Sequence, residues 1–375
     1  MEPELQNYLH KIKKIQNSVL QYIDDEQNLE ENFQNLLQML NDQKILEDRP
    51  TFKLILHLIS TISNNHHRSP TFSSKFERIL NQIKNDITKN FSNYEIFQIF
   101  KKNPKILYFL LQNKFVTFND HQIISYVSDF DNRYFYLNYF SNELGQINSS
   151  FRLDDSYNGP LDEEKRKIGE NDAEICSIIR NDAIDDFINF VSKNSIDLTM
   201  KIEPSIYETN PFLFAEEQTL IEYSAFFGSI KIFTHLYNNG VSLSPSLWNF
   251  AAHGNNLEII CFLQKKKIKP EYEFYDFVLE EAIKCHHNEI ANYVKNTLMK
   301  EDDIYGLSLY SVTENDYYND ILNYSYHYYN FAFFSSDFAN KFTFYYACQY
   351  DYYEIVDLLL KTKKIDLNAK IILFF

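Results

Sequence analysis

Thr219-Leu-Ile-Glu-Tyr-Ser-Ala-Phe-Phe-Gly228-Ser-Ile-Lys-Ile-Phe-Thr-His-Leu-Tyr-Asn-Asn-Gly240 can be laid column by column on Leu247-Trp-Asn-Phe-Ala251-Ala252-His-Gly-Asn255-Asn-Leu-Glu258-Ile259-Ile260-Cys-Phe262-Leu263. In the first segment Gly228 sits three residues past the small pair Ser224-Ala225; in the second Asn255 stands three past Ala251-Ala252, and the columns repeat after 27 residues. An internal repeat decides the fold before local propensity does, because one copy can bury its apolar face only against the next.

Two short helices joined by a tight turn account for the columns. Thr219 offers an N-cap hydroxyl, the small pair lets neighbouring helices approach, and Gly228 or Asn255 tolerates the left-handed backbone that ends the first helix. The second helix then presents Ile232, Phe233 and Leu236, or Ile259, Ile260 and Leu263, at helical spacing.

These residues resemble the ankyrin repeat, with its capping Thr, small pair, turn residue, acidic residue and paired aliphatics. Thr219 is followed by Leu220 instead of Pro, and the 27-residue period is short of the usual ~33, which implies clipped connecting fingers. The wider arrangement, from Arg166-Lys-Ile-Gly-Glu-Asn-Asp172 and Ile179-Arg-Asn-Asp182 to Cys285-His-His-Asn288, is similar to a large, functionally uncharacterised ankyrin-like family expanded in parasitic protists. That resemblance spans roughly residues 165–370, implies an all-α solenoid of helical hairpins, and brings no known enzymatic activity.

With 375 residues, 45% apolar and 17% aromatic, the chain can bury a large core, as two or three domains or one elongated array. Met1-Glu-Pro-Glu-Leu5 is acidic and no apolar run follows it, so no secretory leader is expected. No run approaches the ~20 apolar residues of a membrane helix. Cys176, Cys261, Cys285 and Cys348 are widely spaced, as reduced thiols of a cytoplasmic protein would be. Of the net charge of −16, little belongs to residues 1–150, with 16 basic and 17 acidic side chains, and most to residues 151–375, with 20 and 35. Such a surface repels phosphate backbones, so the expected partner is a protein with a basic surface, and neither nucleic acid nor a membrane.

Residues 1–142 read as a helical N-terminal region. Leu5, Leu9, Ile12, Ile15, Val19 and Ile23 recur at helical steps; Phe33 to Leu40, Phe52 to Ile62, Phe72 to Ile87 and Tyr94 to Phe100 continue the pattern, and Pro104 opens a further helix. Either a degenerate solenoid or a separate bundle fits. Residues 143–172, with Gly145, Gly159, Pro160 and Gly169, read as a polar linker or loop, and residues 173–370 as ankyrin-like repeats. The turn column starts at Asp182, ahead of a helix with Ile184, Phe187, Ile188 and Val191 on one face, and continues through Gly228, Asn255, His286 and Asp351. A poorer unit places Thr313, Tyr317 and Asp320-Ile321-Leu322 in the columns. Residues 371–375 form an apolar tail, expected to fold back as a cap; self-association through the C-terminal edge and a shortened array are the alternatives.

Several features invite chemistry. Cys285-His286-His287 is contiguous, whereas zinc ligands are spaced to converge, so it reads as a turn; His66-His67 lies in a polar loop and reads as solvated. Lys265-Lys-Lys-Ile-Lys269 follows a helix C-terminus, where cations are favoured by the dipole, with a nuclear address as the alternative. The aromatic run Tyr317 to Phe338 reads as a degenerate repeat. No phosphate-cradling glycine loop, Gly-x-Ser-x-Gly elbow or His-Glu-x-x-His helix occurs, so no catalytic, metal or cofactor residue is assigned. A non-enzymatic protein-interaction scaffold is expected, ahead of a self-assembling structural protein. Its partner-facing residues would lie just past each small pair: Phe226, Phe227, His253, Lys284, Gln349 and Tyr350.

Overall fold

The apolar steps of the N-terminal region become helices, as their spacing requires. The computed structural model describes residues 3–69, 71–147, 161–214, 217–299, 314–334 and 341–361. Within them α1 (Pro3–Asp24) buries Leu5, Leu9, Ile12, Ile15, Val19 and Ile23, and α2 (Leu29–Asp42) buries Phe33, Leu36 and Leu40. In α3 (Arg49–Asn65) Pro50 occupies the first turn, where its missing N–H costs nothing, and the helix is buried on most of its faces. The apolar stretch from Phe72 divides at Ile83 into α4 (Phe72–Gln82) and α5 (Lys84–Asn90). A capping box of Ser92 and Glu95 starts α6 (Asn93–Phe100), and the Asn103 side chain accepts from the Ile106 N–H at the head of α7 (Pro104–Gln112). Then come α8 (His121–Ser128) and α9 (Phe130–Ile147).

The expected linker is shorter than its composition suggested. Helix α9 runs on through Gly145 to Ile147, and α10 (Glu163–Ile168) comes next, capped by Asp162 and ended by left-handed Gly169. The reason is Arg166. It is 1% exposed, its guanidinium lies 4.0 Å from the Tyr108 ring centroid and 5.5 Å from that of Tyr139, and it reaches the Glu143 carboxylate at 2.8 Å. A cation held between two rings and a carboxylate orders a segment whose other residues are polar. Gly159 and Pro160 lie outside the described residues.

The remaining helices come mainly in pairs: α11 (Glu174–Arg180) with α12 (Ile184–Asn194), then a single-turn α13 (Pro211–Phe214), α14 (Leu220–Phe226) with α15 (Ile230–Asn238), α16 (Leu247–His253) with α17 (Leu257–Lys265), and α18 (Asp276–Lys284) with α19 (Asn288–Tyr293), which continues into a π-type turn. Helix α20 (Glu314–His327) precedes a 3₁₀ turn at Phe331–Phe333, and α21 (Lys341–Gln349) pairs with α22 (Tyr353–Lys361). No strand is present among the described residues, only an isolated bridge between Lys201 and Thr219. Thr219 and Glu222 form the capping box that the Thr column promised.

The turn column adopts the left-handed conformation throughout: Asp182, Gly228, Asn255, His286 and Asp351 have φ of 46°, 67°, 48°, 59° and 61°. Four residues earlier stands a carbonyl that accepts from the N–H just past the turn, Ser229 to Ser224, His287 to Ala282 and Tyr352 to Ala347 at 2.8 to 3.0 Å. This is a Schellman closure. The small residues at that position are fully buried, as are both members of Ala251-Ala252. Crowding is tightest between α14 and α16: a Cβ on Gly254 would lie 2.1 Å from the Ala225 carbonyl oxygen, and one on left-handed Gly228 would lie 2.7 Å from that of Gly254.

The poorer unit keeps the rule in a different place. Helix α20 passes uninterrupted through Tyr317 and Asp320-Ile321-Leu322, so no turn occurs there, and Thr313 lies outside the described residues. The turn is at Tyr329, φ 55°, where the Asn330 N–H reaches the Ser325 carbonyl at 2.9 Å. A single 3₁₀ turn takes the place of a second helix. Helix α1 packs against that turn. Buried Gln16 receives the Phe331 N–H at 2.6 Å and donates to the Asn330 side-chain oxygen at 3.0 Å.

The helices divide into two compact units that do not follow chain order: residues 1–66 with 272–375, and residues 67–271. In the first unit α1, α2 and α3 share a core with α18, α20, α21 and α22, and α3 packs on both α18 and α22. His66 fastens this arrangement, one ring nitrogen 2.8 Å from Asp24 at the end of α1 and the other 2.6 Å from the Cys285 carbonyl oxygen. It is therefore buried, not solvated as its loop composition suggested. In the second unit α14 packs on α11 and on α16, and α12 on α15. The apolar tail 371–375 lies outside the described residues.

The small column sets a stability test. Ala252→Leu and Ala282→Leu, both at 0% exposure, are expected to destabilise by about 1–3 kcal/mol by overpacking, and Gly254→Ala by at least as much. Exposed Gln349→Leu should stay within about 0.5 kcal/mol of the parent chain. Urea melts with one midpoint for all four variants would contradict this register.

Candidate protein-binding groove

Of the six residues expected to face a partner, three are core. Phe226, Phe227 and His253 are 5%, 6% and 1% exposed. Phe212 of α13 lies on them, its ring centroid 5.8 Å from Phe226 and 4.3 Å from His253, and Phe226 stacks on His253 at 4.9 Å. The connection before Thr219 thus covers the face that an ordinary repeat would leave open, and no column pattern announced it. Lys284 is largely buried and directs its ammonium to Glu281 of its own helix at 3.1 Å. Gln349 is exposed and Tyr350 half-buried.

Tyr350 borders the main candidate, a groove of about 530 Å³ in the first unit. One wall is α3. Arg49, Lys53 and His57 recur there at four-residue steps and so share a face, with Pro50 and Leu54 beside them. The other wall is the end of α21, its turn and the start of α22, from Ala347 and Cys348 through Asp351 to Tyr353 and Val356. Tyr329 contributes from the preceding turn.

The groove owes its aromatic lining to the left-handed turns. Tyr329 is a bulky residue in a conformation that such side chains rarely adopt. Its ring stacks on His57 at 5.0 Å and 4°, and on Tyr352 at 5.5 Å and 18°. Tyr352 in turn donates its hydroxyl to the Tyr326 carbonyl at 2.9 Å. Tyr350 stacks on His327 at 5.1 Å and donates to the Asn323 side-chain oxygen at 2.8 Å. At the mouth, Asp351 is held in the turn with its side chain 82% exposed, 3.9 Å from the Lys53 ammonium, and Tyr353 is 67% exposed.

The groove's ionisable groups are set for binding more than for proton transfer. Burial, helped by the Lys53 charge, holds His57 down to about 3, so its ring stays neutral. Partial burial pushes the Cys348 thiol above its usual range, leaving it protonated and a poor nucleophile at neutral pH. One signal for the groove was legible: Arg49, Lys53 and His57 form a polar stripe on an otherwise apolar helix. Tyr329 was hidden, because Ser325 stands in its unit without a small neighbour and the register was placed at Thr313 to Leu322 instead.

Compared with known proteins, the chain matches no family model, no curated sequence and no solved structure. No helix among the described residues is long and apolar enough to cross a membrane.

Two measurements check this description. His57 and buried His286 both titrate near 3 in the folded chain, against 6.5 when free. The unfolded chain therefore binds more protons between those values, so stability is full above about pH 6.5 and falls as the pH drops toward 3. The urea midpoint should be lower at about pH 5 than at about pH 7.5, and His57→Gln should narrow the difference. In the native protein Cys261 and Cys348 should react with a thiol reagent, while buried Cys176 and Cys285 react only on unfolding. Peptide mapping that found Cys285 labelled as fast as Cys348 would contradict the burial described.

Proposed function

We propose that this chain is a non-enzymatic protein-interaction scaffold of ankyrin-like helical hairpins, with α1 to α3 packed into the unit of the C-terminal ones, that binds a partner protein in the groove between α3 and α22. The observation that carries the reading is the groove itself, open, floored by stacked rings and bordered by a tyrosine 67% exposed. Exposed aromatics around a concavity mark binding surfaces, since water solvates them poorly and a partner side chain covers them with little loss of entropy. The protonated thiol and neutral imidazole favour binding over catalysis.

Charge indicates the partner's surface. The first unit carries 14 Lys and Arg against 26 Asp and Glu, the second 22 against 26, so the excess acid belongs to the unit that contains the groove. A basic protein surface is steered toward it and a nucleic acid repelled. Four free cysteines suit a reducing, cytoplasmic setting.

The test is capture with the full chain, because residues 151–375 alone would lack α1 to α3 and with them one wall of the groove. Immobilised full-length protein is compared with Val356→Trp, which fills the groove, after urea melts confirm that both fold. A captured protein lost on Val356→Trp supports the proposal. Partners indifferent to that change, or recovery of nothing but the chain itself, would sink it in favour of another surface or of self-assembly.

A further inference from the structure

The groove's chemistry narrows the partner further, on the premise that the scaffold reading holds. We infer that its occupant is an arginine side chain from a basic, partly apolar segment, with the guanidinium placed between the Asp351 carboxylate and the Tyr353 ring and the aliphatic stem along Leu54 and Val356.

Four observations converge on a planar cation. Asp351 is fixed by its left-handed turn, so its carboxylate stands at the mouth before any partner arrives, 82% exposed. Tyr353, 67% exposed, offers a ring in the same groove, and ring faces attract cations, while Tyr329 is already stacked on His57 and Tyr352. His57, on the opposite wall, adds no charge, being neutral at physiological pH. The Lys53 ammonium already sits 3.9 Å from Asp351, which shows that the position accepts a cation.

The groove wall also holds two cations, Arg49 and Lys53, and their effect has to be weighed. Neither is unpartnered: Lys53 is spent on Asp351, and Arg49 has a contact of its own. An exposed lysine pair of this length is worth little, so an incoming group that makes better contacts displaces it. A guanidinium does so by forking onto both carboxylate oxygens and by stacking flat on a ring, neither of which an ammonium can do. Lys53 is then a weak internal competitor for the site, and the acid excess of the surrounding unit favours a basic segment over an acidic one.

The proposal is tested by fluorescence anisotropy of the full chain with labelled peptides Gly-Leu-Arg-Arg-Leu-Gly, the same peptide with both arginines replaced by citrulline, and the same with both replaced by glutamate. The arginine peptide should bind about tenfold or more tighter than the citrulline one, and Asp351→Asn, which keeps a residue tolerant of the left-handed turn, should erase that preference. Lys53→Ala should tighten the arginine peptide by about three- to fivefold, a direction that mere loss of structure would not give. Equal binding of the citrulline or glutamate peptide, a silent Asp351→Asn, or weaker binding by Lys53→Ala would each overturn the inference. A natural partner lost on Val356→Trp yet unaffected by Asp351→Asn would remove the arginine and leave the scaffold standing; a partner indifferent to both would remove the scaffold as well.

Discussion

One residue past three of the left-handed turns, those at Gly228, Tyr329 and Asp351, a side-chain donor reaches back to the preceding hairpin. Ser229 donates to the Ile179 carbonyl at 2.6 Å, Asn330 to that of Ile283 at 2.9 Å and Tyr352 to that of Tyr326 at 2.9 Å. In each case the acceptor lies three residues before the earlier hairpin's own turn. Those carbonyls sit at helix C-termini, where each also accepts from the N–H of its own turn residue at 2.9 to 3.4 Å, so the side-chain donor takes the remaining lone pair. The donor therefore fixes the rise from one hairpin to the next as well as satisfying a bond, and a serine, an asparagine and a tyrosine can each do it because only reach and an N–H or O–H are required.

The same rule explains how one unit is assembled from both ends of the sequence. After Tyr329 the described residues make a 3₁₀ turn at Phe331–Phe333, and the apolar surface that a second helix would have covered has another source. Helix α1 packs there, with Gln16 meeting both the Phe331 N–H and the Asn330 side chain. Asn330 consequently serves four partners at once: Gln16, the Ile283 carbonyl, the Asn288 side chain at 2.9 Å and the Ala332 N–H at 3.3 Å. A buried amide network that is satisfied throughout specifies one arrangement, since any shift strands several polar groups together.

Much of this was legible in the residues. Every turn of the column from Asp182 to Asp351 takes the conformation its position demanded, Thr219 caps its helix, and the small pairs lie where helices cross closely. The features that could not be read were placed by contacts distant in sequence. Gln16 sits between Ile15 and Val19 as a polar interruption whose partner is 314 residues away. Phe226 and His253 occupy a face that would be open but for α13. Ser325 carries the small-residue position of the poorer unit without a small neighbour, so aromatic bulk hid the register. Among the candidate site residues, Gln349 of the last hairpin is exposed and Tyr350 stays partly exposed although it stacks on His327.

The joining of residues 1–66 with the C-terminal hairpins also imposes an order on synthesis. Residues 67–271 can complete their unit as soon as they emerge, whereas α3, apolar on nearly every face, must wait for hairpins more than 200 residues downstream. At ~5–20 residues per second that interval is about 10 to 40 s, during which the most hydrophobic helix of the N-terminal segment has only α1 among its final partners. The loop that must then close is long, but its entropy grows only as the logarithm of its length, so the delay is a matter of exposure more than of equilibrium. The nascent chain would therefore depend on whatever shields α3 in that interval, and a circular rearrangement that made residues 272–375 directly before residues 1–66 would abolish the wait.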